Sequence, residues 1–287
     1  MQPLRRWPLA SYFVLAYAWT WAAFAASAEA LTAMSQARSP GPLIVLGLLA
    51  PFGPALAALA VTAAVSGRTG VRDLLRRVVR GRLPLVATTF LLSWLLVARL
   101  CGAAVWSVVT GAWPAMPNLL RVGDVLPRFV MMILLGGPLG EEPGWRGFAL
   151  PRLVERHGPV GASLRLGPLW AFWHLPVFFI PGLDQYGQPI LLYALMVTAY
   201  TFVFTWGHLR SGGSLPLALL HHAAINTTLW LTSMPELAAD EWRLLGFSMP
   251  GPWLVACGLA WALVGALAWR GAFRGRAPAN ASQAGIR

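Results

Sequence analysis

Long apolar segments, separated by short polar or basic ones, dominate this chain. Eight of them are about long enough to cross a bilayer as helices of roughly 17–25 residues. They lie at about 8–28, 42–66, 84–108, 125–140, 162–181, 189–209, 214–233 and 251–270. The pattern predicts an all-α polytopic membrane protein of about eight transmembrane helices.

Residues 68–82 differ from these segments, because arginines alternate there with aliphatic residues at helical spacing. Such a pattern is typical of a short amphipathic helix that lies on the inner face of the membrane. The small and polar residues of 277–287 predict a disordered C-terminal tail. No internal repeat or large soluble domain is evident in the sequence, so residues 1–276 are predicted to form a single transmembrane domain.

The composition agrees with a bilayer environment. Hydrophobic residues make up 57% and charged residues 11% of the 287 residues, and the mean hydropathy is +0.61. Soluble domains carry about 25% charged residues. The net charge of +12 comes from arginines at the ends of apolar segments, with no lysine in the chain. This distribution argues against nucleic-acid binding and indicates attraction to anionic lipid.

The arginines also indicate an orientation. With a cytoplasmic N-terminus, sixteen of the 22 arginines, among them Arg146, fall in predicted cytoplasmic segments and four on the opposite side. Because positive segments favour the cytoplasm, we predict a multi-pass protein of the cell membrane with both termini cytoplasmic. The first apolar segment lacks a convincing cleavage site and is interpreted as a retained span. Cys101 and Cys257 lie inside predicted spans, and such a pair indicates neither a disulfide framework nor a thiolate metal site.

Two adjacent carboxylates follow the fourth apolar segment. Arg146 lies four residues after Glu142, the spacing at which the two side chains meet on one helical face. Such a pair would keep Glu142 ionised and leave Glu141 free to point elsewhere. A general base needs a carboxylate whose environment differs from that of its neighbour. The alternative is a charged turn at the membrane surface that faces water.

Two further places contain polar residues within apolar segments. His174 lies in the fifth segment with Trp170 one turn before it, and His222 and Asn226 lie four residues apart in the seventh. The pair His222 and Asn226 is suited to holding an oxyanion. His221 points about 100° away from His222 on an ideal helix and is expected to serve packing or a local hydrogen bond. The alternative for both places is hydrogen bonding between helices.

The order of these motifs resembles the CAAX protease and bacteriocin-processing family, also called Abi, which includes the type II CAAX prenyl endopeptidases. The resemblance covers about 120–240, the expected catalytic core inside the helix bundle. The residues that match its three motifs are Glu141, Glu142 and Arg146, then Trp170 and His174, then His222 and Asn226. Phe is common in the family where this chain has Trp170.

The resemblance implies an intramembrane endopeptidase that hydrolyses a peptide bond near the cytoplasmic membrane face. Glu141, assisted by His174, would activate a water molecule and later protonate the leaving amine. His222 and Asn226 would stabilise the oxyanion of the tetrahedral intermediate. The expected substrate is a peptide or a membrane protein.

The remaining motif residues, Glu142, Arg146 and Trp170, are expected to orient and charge-balance the site. If a metal ion such as zinc binds, the candidate ligands are Glu141, His174 and His222, with an open position for water. The chain lacks the His-Glu-x-x-His helix that zinc proteases usually carry. We therefore expect a reaction that requires no cofactor.

Two other classes of function fit part of the pattern. Membrane carboxylates and histidines also form proton or ion pathways, but the repeat symmetry typical of transporters is missing from the sequence. A non-catalytic membrane scaffold or bacteriocin-immunity protein would not require the complete set of motifs. The sequence indicates neither the natural substrate nor an oligomeric state.

Overall fold

The computed structural model describes residues 2–234, 241–244 and 247–273. Its helices are α1 (Gln2–Arg6), α2 (Pro8–Ser35), α3 (Ile44–Leu49), α4 (Gly53–Val79), α5 (Leu85–Thr110), α6 (Val122–Leu135), α7 (Pro138–Gly144), α8 (Leu150–Trp173), α9 (Ile190–Ser211), α10 (Leu215–Leu231) and α11 (Gly251–Trp269). A short antiparallel hairpin, β1 (Glu241–Leu244) and β2 (Phe247–Pro250), precedes α11. The all-α membrane fold is confirmed, and the tail at 277–287 lies outside the described residues.

The number of membrane spans is smaller than the eight predicted. Among the described residues, five helices are long and apolar enough to cross a bilayer, and a bent pair raises the number to six. That pair joins α6 to Pro138–Trp173 with a bend of 49°. It contains the fourth and fifth predicted spans, which therefore count as one.

Helix α10, the seventh predicted span, is only 17 residues long and most of its side chains are buried. It packs against α5, α6, α7 and α9. Its apolar character therefore reflects burial among other helices, which hydropathy alone does not distinguish from contact with lipid. A helix surrounded by protein has no need to match the bilayer thickness.

Helix α4 has a break at Gly67, whose φ of 64° lies in the left-handed region that favours glycine. The helix resumes after the break and continues to Val79, and the backbone is extended from Arg80 onward. The predicted amphipathic helix at 68–82 is therefore present over 68–79. Its position relative to a membrane stays a prediction.

Candidate active site

Two glycines bring helix α7 into the interior of the bundle. A Cβ atom would lie 2.6 Å from the Pro51 carbonyl oxygen if added to Gly140, and 2.5 Å from the Pro54 carbonyl oxygen if added to Gly144. Because these positions are four residues apart, one face of α7 lies directly on the backbone of the 51–54 segment. The two glutamates between them are consequently buried.

Glu142 connects two parts of the site that are distant in sequence. Its Oε1 accepts a hydrogen bond of 2.9 Å from Nη1 of Arg146 and one of 2.7 Å from Nδ1 of His222. The Glu142 and Arg146 side chains are 0% and 1% exposed. The predicted ion pair is therefore present, and it is fully buried. Arg146, which the topology prediction placed in a cytoplasmic segment, lies inside the bundle.

Aromatic rings enclose the guanidinium group of Arg146. Its Cζ lies 4.0 Å from the ring centroid of Trp170 and 3.6 Å from that of Phe204. A cation between aromatic faces gains electrostatic stabilisation that increases as water is excluded. Nε and Nη2 of Arg146 and Oε2 of Glu142 have no hydrogen-bond partner within the described part of the chain.

Glu141 points away from this ion pair. This orientation was expected from the pairing of Glu142 with Arg146. The Oε2 of Glu141 accepts hydrogen bonds from the indole nitrogens of Trp170, at 2.8 Å, and Trp145, at 3.3 Å. Its Oε1 faces Gly137, where any Cβ atom would overlap it. Gly137 also has a φ of 107°, which only glycine adopts without strain. The site therefore requires glycine at this position.

His174 lies at the end of α8, where it caps the helix. Its Nδ1 donates a hydrogen bond of 2.8 Å to the carbonyl oxygen of Trp170. This contact implies the tautomer with the proton on Nδ1, so that Nε2 carries the lone pair. Trp173 and Tyr193 present their ring systems edge-on to the imidazole, with centroid distances of 4.7 and 5.4 Å. The ring of His174 is thus held in one orientation.

Asn226 and His221 occupy different environments on α10. The Asn226 Nδ2 donates a hydrogen bond of 2.8 Å to the Gly136 carbonyl oxygen, which leaves its second N–H available. His221 accepts a hydrogen bond of 2.9 Å at Nε2 from the indole of Trp94 and packs on Phe204. The structural role predicted for His221 agrees with these contacts.

Three residues of this site were not predicted from the sequence: Gly137, Trp145 and Phe204. Trp145 lies four residues after Glu141, so helical spacing was a usable signal. Trp145 is also the first residue of the π-helical turn Trp145–Ala149, and such turns are frequent at functional sites. Phe204 carried no signal, because nothing in the sequence distinguishes it from the other aromatic residues of α9.

No group of three His, Cys, Asp or Glu side chains within the described residues is arranged to hold a metal ion. Each of the three candidate ligands, Glu141, His174 and His222, already uses one polar side-chain atom in a hydrogen bond within the protein. The opposite atoms, Oε1 of Glu141 and Nε2 of each histidine, are the ones that would face a ligand. The reaction without a cofactor stays a prediction.

The segment that carries these residues is similar to known proteins. Residues 124–228 fit the family model described as Type II CAAX prenyl endopeptidase Rce1-like. The resemblance to type II CAAX prenyl endopeptidases is confirmed. A curated relative, CAAX prenyl protease 2 of Methanococcus maripaludis, is 32% identical over 119 residues, which are 39% of this chain and 43% of the relative. The chain thus matches less than half of the length of this CAAX protease. The segment that fits the family model includes all seven motif residues.

Proposed function

We propose that this protein is an intramembrane endopeptidase that hydrolyses a peptide bond of a peptide or membrane-protein substrate near the cytoplasmic face. The observation that carries the proposal is the double role of Trp170. Its indole holds Glu141 and its carbonyl oxygen holds His174. Trp170 therefore orients both a carboxylate and an imidazole. A pair of groups that acts on one water molecule needs both to be held in position.

In this mechanism Oε1 of Glu141 takes a proton from the water molecule, and the oxygen of that water attacks the carbonyl carbon of the peptide. His174 assists through Nε2, the nitrogen opposite its anchored Nδ1. The tetrahedral intermediate then collapses with cleavage of the C–N bond, and the proton passes to the leaving amine. The products are a carboxylate and an amine, so one water molecule is consumed for each bond that is cleaved.

We assign to His222 and Asn226 the stabilisation of the negatively charged oxygen of the tetrahedral intermediate. Asn226 offers its second N–H while Gly136 holds the first. Because Nδ1 of His222 is engaged with Glu142, His222 donates from Nε2 only when its ring is doubly protonated. The Glu142 carboxylate then supplies the compensating charge. Fixed donors at a site with little water stabilise an oxyanion strongly.

The test compares the purified wild-type protein with Glu141→Ala and with Glu155→Ala, an exposed glutamate of α8. Each protein is incubated with a mixed library of prenylated and unprenylated peptides, and the products are read by mass spectrometry. We expect cleavage by the wild-type and Glu155→Ala proteins and none by Glu141→Ala. Cleavage that persists in Glu141→Ala would overturn the assignment of the base.

The same assay addresses the metal and the substrate. We expect a chelator to leave the rate of cleavage unchanged, and a rate restored only by added metal would assign a ligand role to Glu141 and the histidines. The cleaved sequences define which residues flank the bond and whether a prenyl group is needed.

A further inference from the structure

A cavity lies on the outside of α4, at the break of that helix. It has a volume of about 620 Å³, and residues on both sides of Gly67 line it. Ala63 precedes the break and lies within the stretch Ile44–Val79, which is long and apolar enough to cross a bilayer. The residues beyond the break belong to the amphipathic part of α4. The cavity therefore lies at the boundary between the apolar first part of α4 and its arginine-rich second part.

Three arginines line this cavity at intervals of four residues: Arg68, Arg72 and Arg76. This spacing places them along one face of the helix. All three are exposed, and within the described residues none of them forms an ion pair. A row of unpaired guanidinium groups is suited to binding an anion that carries phosphate oxygens.

The other wall of the cavity is apolar. Val71, Leu75 and Val79 line it beside the arginines, and Leu75 and Val79 are 51% and 76% exposed. Aliphatic side chains beside a row of cations match a molecule with a charged end and an apolar body. A free phosphate ion would use only the arginines and would leave the apolar wall in contact with water.

The opposite face of this helical segment is attached to the bundle. Leu74 is buried against Gly147, and Nη1 of Arg77 donates a hydrogen bond of 3.3 Å to the carbonyl oxygen of Gly147. Gly147 belongs to the π-helical turn that also contains Arg146. The outer face with its three arginines is thus held in a fixed orientation, next to the turn that carries part of the candidate active site.

We infer that this cavity binds the phosphate headgroup of an anionic membrane lipid. The headgroup lies against Arg68, Arg72 and Arg76, and the upper part of the acyl chains lies along the apolar wall toward Ala63. The volume, the unpaired positive charge and the position at the end of a membrane-crossing segment all match this occupant. The inference concerns lipid binding and is independent of the proposed peptidase activity.

Native mass spectrometry of the full-length protein in detergent tests this inference. The protein is titrated with phosphatidylglycerol, which is anionic, and with phosphatidylcholine, which is zwitterionic. The test variant is the triple substitution Arg68→Gln, Arg72→Gln and Arg76→Gln. The control carries Arg6→Gln, Arg38→Gln and Arg156→Gln, which remove the same charge at exposed positions outside the cavity.

Each arginine near a charged bilayer surface contributes about 1 kcal/mol to lipid attraction. We therefore expect the test variant to bind phosphatidylglycerol on the order of 100-fold more weakly than the wild type. The control is expected to bind within about 3-fold of the wild type, and both variants should keep the wild-type melting temperature.

Four results would overturn the inference. One is wild-type affinity in the test variant, and another is an equal loss in the control, which would indicate attraction to net charge alone. The third is binding of phosphatidylcholine as tight as that of phosphatidylglycerol. Glycerol phosphate is added as a competitor, and displacement of the lipid at equal concentration would identify a site for soluble phosphates instead.

Discussion

The indole nitrogen of Trp170 donates a hydrogen bond of 2.8 Å to Oε2 of Glu141. The family that this chain resembles commonly has Phe at this position, and a phenyl ring has no hydrogen-bond donor. In this chain the aromatic residue therefore does two things: its face lies on Arg146, and its edge fixes the carboxylate of the candidate base.

Replacing Trp170 with Phe tests the hydrogen bond separately from the ring. The phenyl group still packs on Arg146, but Glu141 loses its shorter hydrogen bond. Because hydrogen bonds to charged groups contribute about 1.5–3 kcal/mol, we expect a rate of peptide cleavage roughly 10–100-fold lower. Trp261→Phe is the matched control, since the buried indole nitrogen of Trp261 on α11, outside the candidate site, has no partner within the described residues. Equal rates in the two variants would show that the Trp170 hydrogen bond is dispensable.

Replacing Arg146 with Ala should destabilise the fold more than any other change in the site. It leaves Glu142 buried without its cation, a loss that typically costs about 3–5 kcal/mol. Thermal unfolding in detergent measures the effect, with Arg156→Ala as the exposed control. The double variant Glu142→Gln with Arg146→Met should lose less stability than the two single changes combined, because the two charges are removed together. An unchanged melting temperature in Arg146→Ala would contradict a stabilising buried pair.

Asn226→Ala should lower the rate of cleavage by roughly 10²–10³ if its amide holds the oxyanion. The control is Asn118→Ala, which also removes side-chain hydrogen bonds, to Trp230 and Ser233, at a position outside the candidate site. Both variants are expected to lose a similar, small amount of stability. If Asn226→Ala cleaves at the wild-type rate, its hydrogen bond to Gly136 serves only to pack α6 against α10.

The adjacent histidines of α10 offer a further comparison. His222→Ala should remove peptide cleavage while the protein stays folded, because Nε2 of His222 is assigned to the oxyanion. His221→Phe should lower the melting temperature, since the Trp94 indole then loses its acceptor in a buried environment. We expect its cleavage rate to stay within a few-fold of the wild type. The reverse pattern would exchange the roles of the two residues.

Local spacing explains which parts of the site were predictable. The pairing of Glu142 with Arg146 follows from four-residue helical periodicity, and the same rule places Trp170 next to His174. Hydropathy likewise located α9, α10 and the second half of α8, but not α7, most of which lies between the fourth and fifth apolar segments. It counted too many spans because α10 is apolar through burial in protein, and because α6 and α8 belong to one bent pair.

The sequence by itself therefore determined the all-α membrane fold and the identity of the motif residues, since both depend on composition and on short-range spacing. Only the tertiary structure brought Glu142 to His222, which is 80 residues away, and turned Glu141 toward Trp170. Such contacts depend on how helices pack. Here that packing is set by Gly140 and Gly144, where the absence of a side chain lets α7 lie on the backbone of the 51–54 segment.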